Sequence, residues 1–371
     1  MARKLRIGIV YGGRSGEHEV SVASARSIMA ALDATKYELV PIAIARSGQW
    51  LPGVEPRALL APDEAAPTGD EAAATTDLAV TGFARLSQVS DATADLSQVD
   101  VIFPVLHGTY GEDGALQGML EMAGLPYVGC GILGSALGMD KEKAKLIFAA
   151  AGLTVTPGVT VYRRDYEHDA EATVASIGAQ FGYPVFVKPA NLGSSVGVSK
   201  ARDAGELHAA LTLAARYGRK IIVEQAIDCR EVECAVLGND DPQASVVGEI
   251  EPSKEFYDYE AKYLDGGASR LLIPAPIPEA TAAQIRRMAV AAFRALDLSG
   301  LARVDFFLER TTGQVYLNEV NTLPGFTSIS MYPKLWEASG LPYPHLLDRL
   351  IELALERHAD HERNATGLHG V

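Results

Sequence analysis

The sequence predicts a multidomain chain of α/β and α+β class, with an N-terminal parallel-sheet domain followed by two α+β domains. Three observations carry this. At 371 residues the chain is too long for one ordinary core. Its opening alternates: "LRIGIVYGG" is a short apolar run ending in glycines, an apolar-periodic stretch follows from about Glu19 to Leu32, and "YELVPIAIA" reads as the next strand. From about Thr156 the pattern changes to short strands separated by hairpin signals, "YPVFVKPA", "GVSKA", "KIIVEQAI", "EVECAVLGN" and "ASVVGEIEP", interrupted by the helix "AGELHAALTLAARYG".

The elements between and after these follow in order. "VDVIFPVLHG" is a strand, and "GTYGEDGALQGMLEMAGL" is a glycine-bearing loop entering a helix. "LPYVGCGILGSALGMDKEKAKLIFAAAGL" predicts a short strand and one helix. Gly129, Gly131 and Gly134 there spell G-x-G-x-x-G, but no second strand with a terminal acid follows at the ~20 residues a dinucleotide site requires. A tight turn with close helix packing is the better reading than an NAD site. Residues 53–80, rich in Ala, Pro, Asp, Glu and Thr, predict a surface loop or disorder. "EATAAQIRRMAVAAFRALD" is a helix, "GLARVDFFLE" and "QVYLNEVN" are strands, and "YPHLLDRLIELALERH" is an amphipathic helix before a polar tail. The expected division is 1–137, 138–224, 225–360 and the tail 361–371.

Hydrophobic residues at 48% and charged residues at 22% match a soluble globular protein. A formal net charge of -14 argues against a general nucleic-acid binder, though not against a local basic pocket for a small anion. Cys130, Cys229 and Cys234 make neither a disulfide framework nor a zinc ligand set, which fits a reduced compartment. The charged-then-apolar start reads as a first buried strand because no cleavage site follows. No stretch approaches the ~18 apolar residues of a membrane span. Cytoplasm is therefore the expected location, with no membrane partner.

Two segments carry chemistry. In "LARVDFFLERTTGQVYLNEVN" the turn residues Thr311, Thr312 and Gly313 predict an antiparallel hairpin. A turn centred on Thr312 sets Asp305 opposite Glu319, with Arg303 and Asn321 on the same face. Val304, Phe306, Leu308, Tyr316 and Val320 then form the apolar back. Two carboxylates and an amide oxygen in one patch suit Mg2+, which completes its octahedron with waters and substrate phosphates. The alternative is a solvated face with Arg303 pairing Asp305. The second segment is "VKPANLGSSVGVSK", where Lys188 ends a strand and Gly193 to Gly197 form a loop able to fold over a triphosphate. Lys141 supplies another ammonium, and Glu224 and Glu231 could accept from an adenine amino group and from ribose hydroxyls.

Together "VKPANLGSSVGVSK", "VEQAI", "REVECAVLGN", "RVDFF" and "LNEVNTLPGFTS" resemble the ATP-grasp ligases. With "YGGRSGEHEVS", "LHGTYGEDG" and "FYDYEAKY" added, the chain is similar to the D-alanine–D-alanine ligase family from about Leu5 to His358, apart from the Ala/Pro/acidic insert. The resemblance implies a Rossmann-like N-terminal domain followed by an ATP-grasp fold of two α+β subdomains. It implies that Lys141 and Lys188 hold the ATP phosphates, with the Ser194–Ser195 loop closing over them. Glu224, Gln225 and Ile227 would line the adenine pocket, Glu231 would take the ribose, and Phe256 joins the ATP-binding set. Asp305, Glu319 and Asn321 would hold two Mg2+ ions, for which Mn2+ can substitute. Glu19 would bind the ammonium of the first D-alanine and form a latch with Ser194 and Tyr263, while His107 approaches that substrate. Arg303 and the N–H of Gly325 would stabilise an oxyanion. Lys262 and Ser330 would hold the carboxylate of the second D-alanine, with Met331 also binding substrate. A homodimer is implied too. One departure is Asp228–Cys229, where relatives often carry glycine, which puts only local loop shape in doubt.

The implied reaction explains the loop. A carboxylate is a poor acyl donor until the γ-phosphoryl of ATP converts it to an acylphosphate, which an amine then attacks. Negative charge develops near phosphate in both steps, so cations must be aimed there and water kept out. The "YDYEAKY" segment favours D-alanine over D-lactate as second substrate by the same resemblance. A D-alanine–D-lactate-type ligase, or another ATP-grasp carboxylate–amine ligase, remains the alternative.

Overall fold

"LRIGIVYG" forms β1 (Leu5–Gly12), which lies parallel to β2 (Tyr37–Ile44) on one side. The computed structural model describes residues 3–56, 99–193, 196–251 and 270–364. The helix α1 (His18–Ala31) makes the crossover between the two strands. A short β3 (Trp50–Pro52) runs antiparallel on β2, and β4 (Val101–Pro104) is parallel to β1, giving the order β3-β2-β1-β4. Ile7, Ile9 and Tyr11 point into one core while Val10 points into another. Burial on both faces is why this strand is an unbroken apolar run.

After α2 (Ala115–Met122), the single helix expected from "GILGSALGMDKEKAKLIFAAAGL" is in fact two, α3 (Ile132–Met139) and α4 (Lys141–Ala150). Asp140 separates them in an extended conformation, and its carboxylate accepts from the Lys143 N–H at 3.2 Å, capping α4. The strand expected just before is a single bridge between Ile102 and Tyr127. The glycine triplet serves packing: a Cβ at Gly134 would meet the Asp297 carbonyl oxygen at 3.0 Å, and Gly129 has φ +103 against Leu323.

The second sheet contains β5 (Gly158–Tyr162), β6 (Val185–Pro189), β7 (Ser199–Ala201) and β8 (Lys220–Gln225), antiparallel in the order β5-β8-β6-β7. Two helices absent from the sequence expectation, α5 (Arg163–His168) and α6 (Ala170–Phe181), precede β6, and α7 (Ala204–Tyr217) precedes β8. Val185, Val187, Leu207, Leu211, Ile221 and Val223 belong to a core confined to this unit.

The third sheet is antiparallel, with β9 (Cys229–Gly238), β10 (Gln243–Glu251), β11 (Arg270–Leu272), β12 (Gly300–Glu309) and β13 (Val315–Asn321) in the order β11-β10-β9-β12-β13. One face packs on α8 (Glu279–Ala295) through Ile285, Ala289 and Phe293, together with Ala144 and Phe148 of α4. Thus α4 precedes the second sheet in the chain but packs on the third. The other face meets α9 (Met331–Ala338) and α10 (Tyr343–His361), whose Tyr332, Trp336, Leu346 and Leu350 share one core with Ile7 and Ile9 of β1. Among the described residues no helix is long and apolar enough to cross a membrane.

The hairpin register holds at Asp305–Glu319 and Arg303–Asn321 but shifts beyond, where Phe306 pairs with Leu317 and leaves Asn318 as the extra residue. The apolar back is therefore Val304, Phe306, Leu308, Val315, Leu317 and Val320, all buried, whereas Tyr316 is half-buried opposite Phe307 on the other face. Tyr316 is a correction to the simple alternation, and the bulge is its cause.

Arg357 of α10 ties the first sheet's region to the third. It donates to the carbonyls of Gly129 (2.9 Å) and Tyr127 (3.1 Å) and to Ser299 Oγ (3.0 Å), and its guanidinium lies 4.1 Å from the Tyr127 ring centroid. Arg357→Ala should destabilise the fold by about 2–3 kcal/mol, since a charged donor with three acceptors and a ring contact is lost. A urea unfolding midpoint unchanged from wild type would show that the tie contributes nothing.

Candidate active site

The site is assembled where the second and third sheets face each other. On β12 and β13 the cross-strand partners Asp305 and Glu319 stand beside Arg303 and Asn321. Arg303 grips Asp305 with both arms, Nε to Oδ1 at 2.7 Å and Nη2 to Oδ2 at 2.8 Å. The same Nε lies 2.9 Å from Glu233 Oε2 on the neighbouring β9. Asn321 donates to Asp305 Oδ2 at 2.9 Å. Glu319 Oε2 is 3.1 Å from Lys141 Nζ, which also donates to the Leu192 carbonyl at 2.9 Å.

Both readings of this face are thus present together: Arg303 pairs Asp305, and the oxygen-bearing side chains still converge. Among the described residues no three His, Cys, Asp or Glu side chains gather as a metal-only cage. The donor set nevertheless fits a hard divalent cation that takes one or two carboxylates and an amide oxygen from the protein and its remaining ligands from phosphates. Residues able to hold it are Asp305, Glu319 and Asn321.

Across the cleft lies a buried charge cluster. Glu224, 2% exposed at the end of β8, sits between Lys145 Nζ (2.5 Å from Oε1) and Lys188 Nζ (2.6 Å from Oε2). Burial alone would raise the Glu224 carboxyl, but the Lys145 and Lys188 ammoniums outweigh it and hold the group below its ordinary value. Burial draws the Lys145 ammonium down, with Glu224 opposing. Lys188 also reaches Asn318 Oδ1 at 3.3 Å, so one side chain of β6 touches both β8 and the bulge of β13. At the rim Gln225 is exposed, and Ile227 and Glu231 are half-buried. Asp228 pairs with Arg310 at 3.3 Å in the loop leading into β9.

The first sheet contributes a third group. Glu19 does not face it: that side chain is exposed and paired with Arg46. The acid that does is Glu17, two residues earlier, at the position preceding α1. Its carboxylate makes no cap for the helix. Instead Oε2 lies 2.8 Å from where a Cβ would stand at Gly108 and 3.4 Å from the same point at Gly193, where the glycine loop begins. Glu17 precedes the helix in a non-helical conformation while Glu19 lies in its first turn, so the two carboxylates leave the chain in different directions.

His107, buried, donates through Nδ1–H to the Leu323 carbonyl (2.9 Å), and its Nε2 has no hydrogen-bond partner among the described residues. Burial lowers its pKa, with the Glu17 charge opposing. Glu112 accepts from the N–H groups of Gly108 (2.6 Å) and Leu323 (3.1 Å). Burial and the neighbouring Glu17 push its carboxyl up to about 8.

Gly325 and Ser330 lie together in the turn entering α9. A Cβ at Gly325 would be 3.3 Å from Ser330 Oγ, and that hydroxyl accepts from the Thr327 N–H at 3.0 Å. Met331 is not a lining side chain, because its thioether is buried in the core against Gly248. Only its main chain, in the first turn of α9 where N–H groups lack helical acceptors, could meet a substrate. Ser194, Ser195, Phe256, Lys262 and Tyr263 lie outside the described residues, as do residues 57–80 of the insert.

The structure therefore gathers Lys141, Lys188, Glu224, Glu231, Arg303, Asp305, Glu319 and Asn321 in one cleft, with His107, Gly325 and Ser330 on its N-terminal side. Lys145, Glu17, Glu112, Glu233 and Asn318 were not singled out from sequence. Lys145 had a signal: in "DKEKAK" it stands four residues after Lys141, on the same helical face.

Residues 6–130 match the family profile described as "D-ala D-ala ligase N-terminus", and residues 147–352 match "D-ala D-ala ligase C-terminus". The chain belongs to the D-alanine–D-alanine ligase family. It is 50% identical to the D-alanine–D-alanine ligase of Acetivibrio thermocellus, over 97% of this chain and 98% of that protein. Identity to the Heliobacterium modesticaldum D-alanine–D-alanine ligase is 52%, over 98% of each. Of solved structures, the D-alanine–D-alanine ligase from Coxiella burnetii is similar with TM-score 0.79 and 37% identity, covering 98% of this chain and 97% of that one. The VanG D-Ala:D-Ser ligase from Enterococcus faecalis is similar with TM-score 0.77 and 36% identity, covering 95% and 100%. The mixed α/β architecture of several sheets is thus that of D-alanine–D-alanine ligases.

Two outcomes are expected from the N-terminal group. Glu112 has a folded pKa of about 8 against an ordinary 4.5, so between those values the folded protein keeps a proton that the unfolded chain has lost. Its contribution to stability is whole below pH 4.5 and is lost as pH rises through about 8. Melting temperatures over this range should fall less steeply for Glu112→Gln than for wild type, and parallel curves would refute the assignment. Separately, Glu17→Gln should lower turnover at least about 100-fold, the scale of losing one charged group in a site, whereas Glu19→Gln stays within about threefold. The reverse ranking would restore Glu19.

Proposed function

We propose that the protein joins two D-alanine molecules to D-alanyl-D-alanine at the expense of ATP, releasing ADP and phosphate and supplying a peptidoglycan precursor. Support comes from the full-length likeness to D-alanine–D-alanine ligases, and the single observation that carries the chemistry is the meeting of Asp305, Glu319 and Asn321 with Lys141 and Lys188. The proposed seat for ATP is between the second and third sheets, with Lys141 and Lys188 on its phosphates and Glu224, Gln225, Ile227 and Glu231 about the adenosine. Domains 1–137, 138–224 and 225–360 would supply the first substrate, the phosphate side and the metal side.

The carboxylate of the first D-alanine attacks the γ-phosphorus in line, ADP leaves, and a D-alanyl phosphate forms. Glu17, rather than Glu19, takes the ammonium of that first substrate, beside His107. The amine of the second D-alanine attacks the acyl carbon, and Arg303 with the Gly325 N–H receives the charge on the tetrahedral oxygen before phosphate departs. Arg303 is suited to this because Asp305 and Glu233 fix its plane. Ser330 and the Met331 main chain hold the second carboxylate, and Ser194, Ser195, Phe256, Lys262 and Tyr263 keep the roles given by family likeness. Asp305, Glu319 and Asn321 would hold a divalent cation, which would supply positive charge against the phosphates. We assign two Mg2+ ions, replaceable by Mn2+, a homodimeric state and a cytoplasmic location on the same likeness.

Phosphate release from ATP should require D-alanine and Mg2+ and should not occur with L-alanine. D-serine or D-lactate offered beside D-alanine should give minor products only, and a dominant mixed product would move the assignment to the corresponding ligase. Glu319→Gln should reduce turnover by about 100-fold or more while leaving the melting temperature near wild type, as expected for a lost metal ligand. Wild-type turnover in that variant would overturn the metal seat.

A further inference from the structure

Lys145 has no place in the mechanism above, yet it is among the most committed side chains in the cleft. It is 9% exposed, and its ammonium lies 2.5 Å from Glu224 Oε1. It stands one helical turn beyond Lys141 on α4, so a single helix face delivers one ammonium toward Glu319 and another toward Glu224. Glu224 is thereby shared: Lys188 holds the other oxygen at 2.6 Å while also standing 3.3 Å from Asn318 on the metal-bearing hairpin. Two buried ammoniums and one buried carboxylate leave an excess of one positive charge. A buried charge without a partner is strongly unfavourable, so a site with only Lys188 beside Glu224 would resist giving that lysine to another anion.

We propose that Lys145 is a positioning residue for nucleotide binding, the permanent counter-ion of Glu224 that leaves Lys188 free to engage the phosphates of ATP. The excess positive charge is then matched by phosphate when nucleotide enters, and Glu224 is never left bare. The helix also makes the arrangement rigid, because Phe148 and Ala144 of α4 are buried in the core of the third sheet. This inference rests on the ATP-dependent reading above.

The test is nucleotide affinity. Calorimetric titration with Mg–ADP should show Lys145→Met binding about tenfold or more weakly than wild type, a change of about 1.4 kcal/mol or more. The apparent KM for ATP should rise by a like factor while kcat at saturating ATP changes less than threefold. Lys145→Arg, which keeps the charge, should recover most of the affinity. Because Glu224 itself lines the proposed adenosine seat, the double variant Lys145→Met/Glu224→Gln is compared with Glu224→Gln: the carboxylate needing compensation is gone from both, so Mg–ADP should bind them equally. Should Lys145→Met not fold, the double variant compared with Glu224→Gln decides, and equal affinities are expected. Wild-type affinity in Lys145→Met overturns the proposal, as does a double variant tenfold weaker than Glu224→Gln. Absence of Mg–ADP binding to the wild-type protein would instead refute the ATP-dependent reading.

Discussion

A carboxylate removed from water between two ammoniums is the constraint on which the cleft depends. Glu224 ends β8, Lys188 ends β6 and Lys145 lies on α4, so three elements must come to within hydrogen-bond distance of one acid. Because α4 is packed on the third sheet, this cluster fixes where the second sheet sits against it. Lys188 extends the link to the bulge at Asn318. The bulge matters because it re-phases β13: the strand keeps Glu319 and Asn321 toward the cleft while Val315 and Leu317 remain in the core. Without the extra residue, one of those pairs would face the wrong way.

Much of this was legible in the sequence wherever a local period or a motif carried it. The strand at Leu5–Gly12, the helix near Glu279 and the Asp305–Glu319 pairing follow from alternation and from turn residues. Positions set by tertiary geometry were not legible. Tyr316 exchanged faces because a bulge has no unambiguous sequence mark. The single helix expected over residues 131–150 broke at Asp140, whose capping side chain competes with helix continuation. α5 and α6 went unread beside stronger strand signals. Of the acids in "GEHEVS", Glu19 turns outward to Arg46 while Glu17 faces Gly108 and Gly193, a difference set by where α1 begins and carried by no residue-type signal. Lys145 looked like one more lysine on a charged helix until its partner, 79 residues away in the chain, was in place.

The electrostatics of the cleft show a consistent plan. Lys141 and Lys145 of α4 reach Glu319 on the third sheet and Glu224 on the second, while Lys188 of the second sheet pairs Glu224 within that sheet. Arg303 belongs to the third sheet itself, with Asp305 two residues along the same strand and Glu233 on the adjacent β9. On the N-terminal side the balance differs: Glu17 and Glu112 stand close together beside a neutral-leaning His107, and the Glu112 carboxyl keeps its proton near neutrality as a result.

The distribution of apolar cores has a mechanical consequence. Residues of β1 share one continuous interior with α9 and α10, so prising the first and third sheets apart would wet that whole interior. The second sheet keeps its own interior, and Lys145–Glu224 and Lys188–Asn318 join it to its neighbours by charge and hydrogen bonding. The middle sheet is therefore seated by directed polar contacts and the outer two by a common apolar interior, so a substitution that removes one charge unseats the former where only a cavity would loosen the latter.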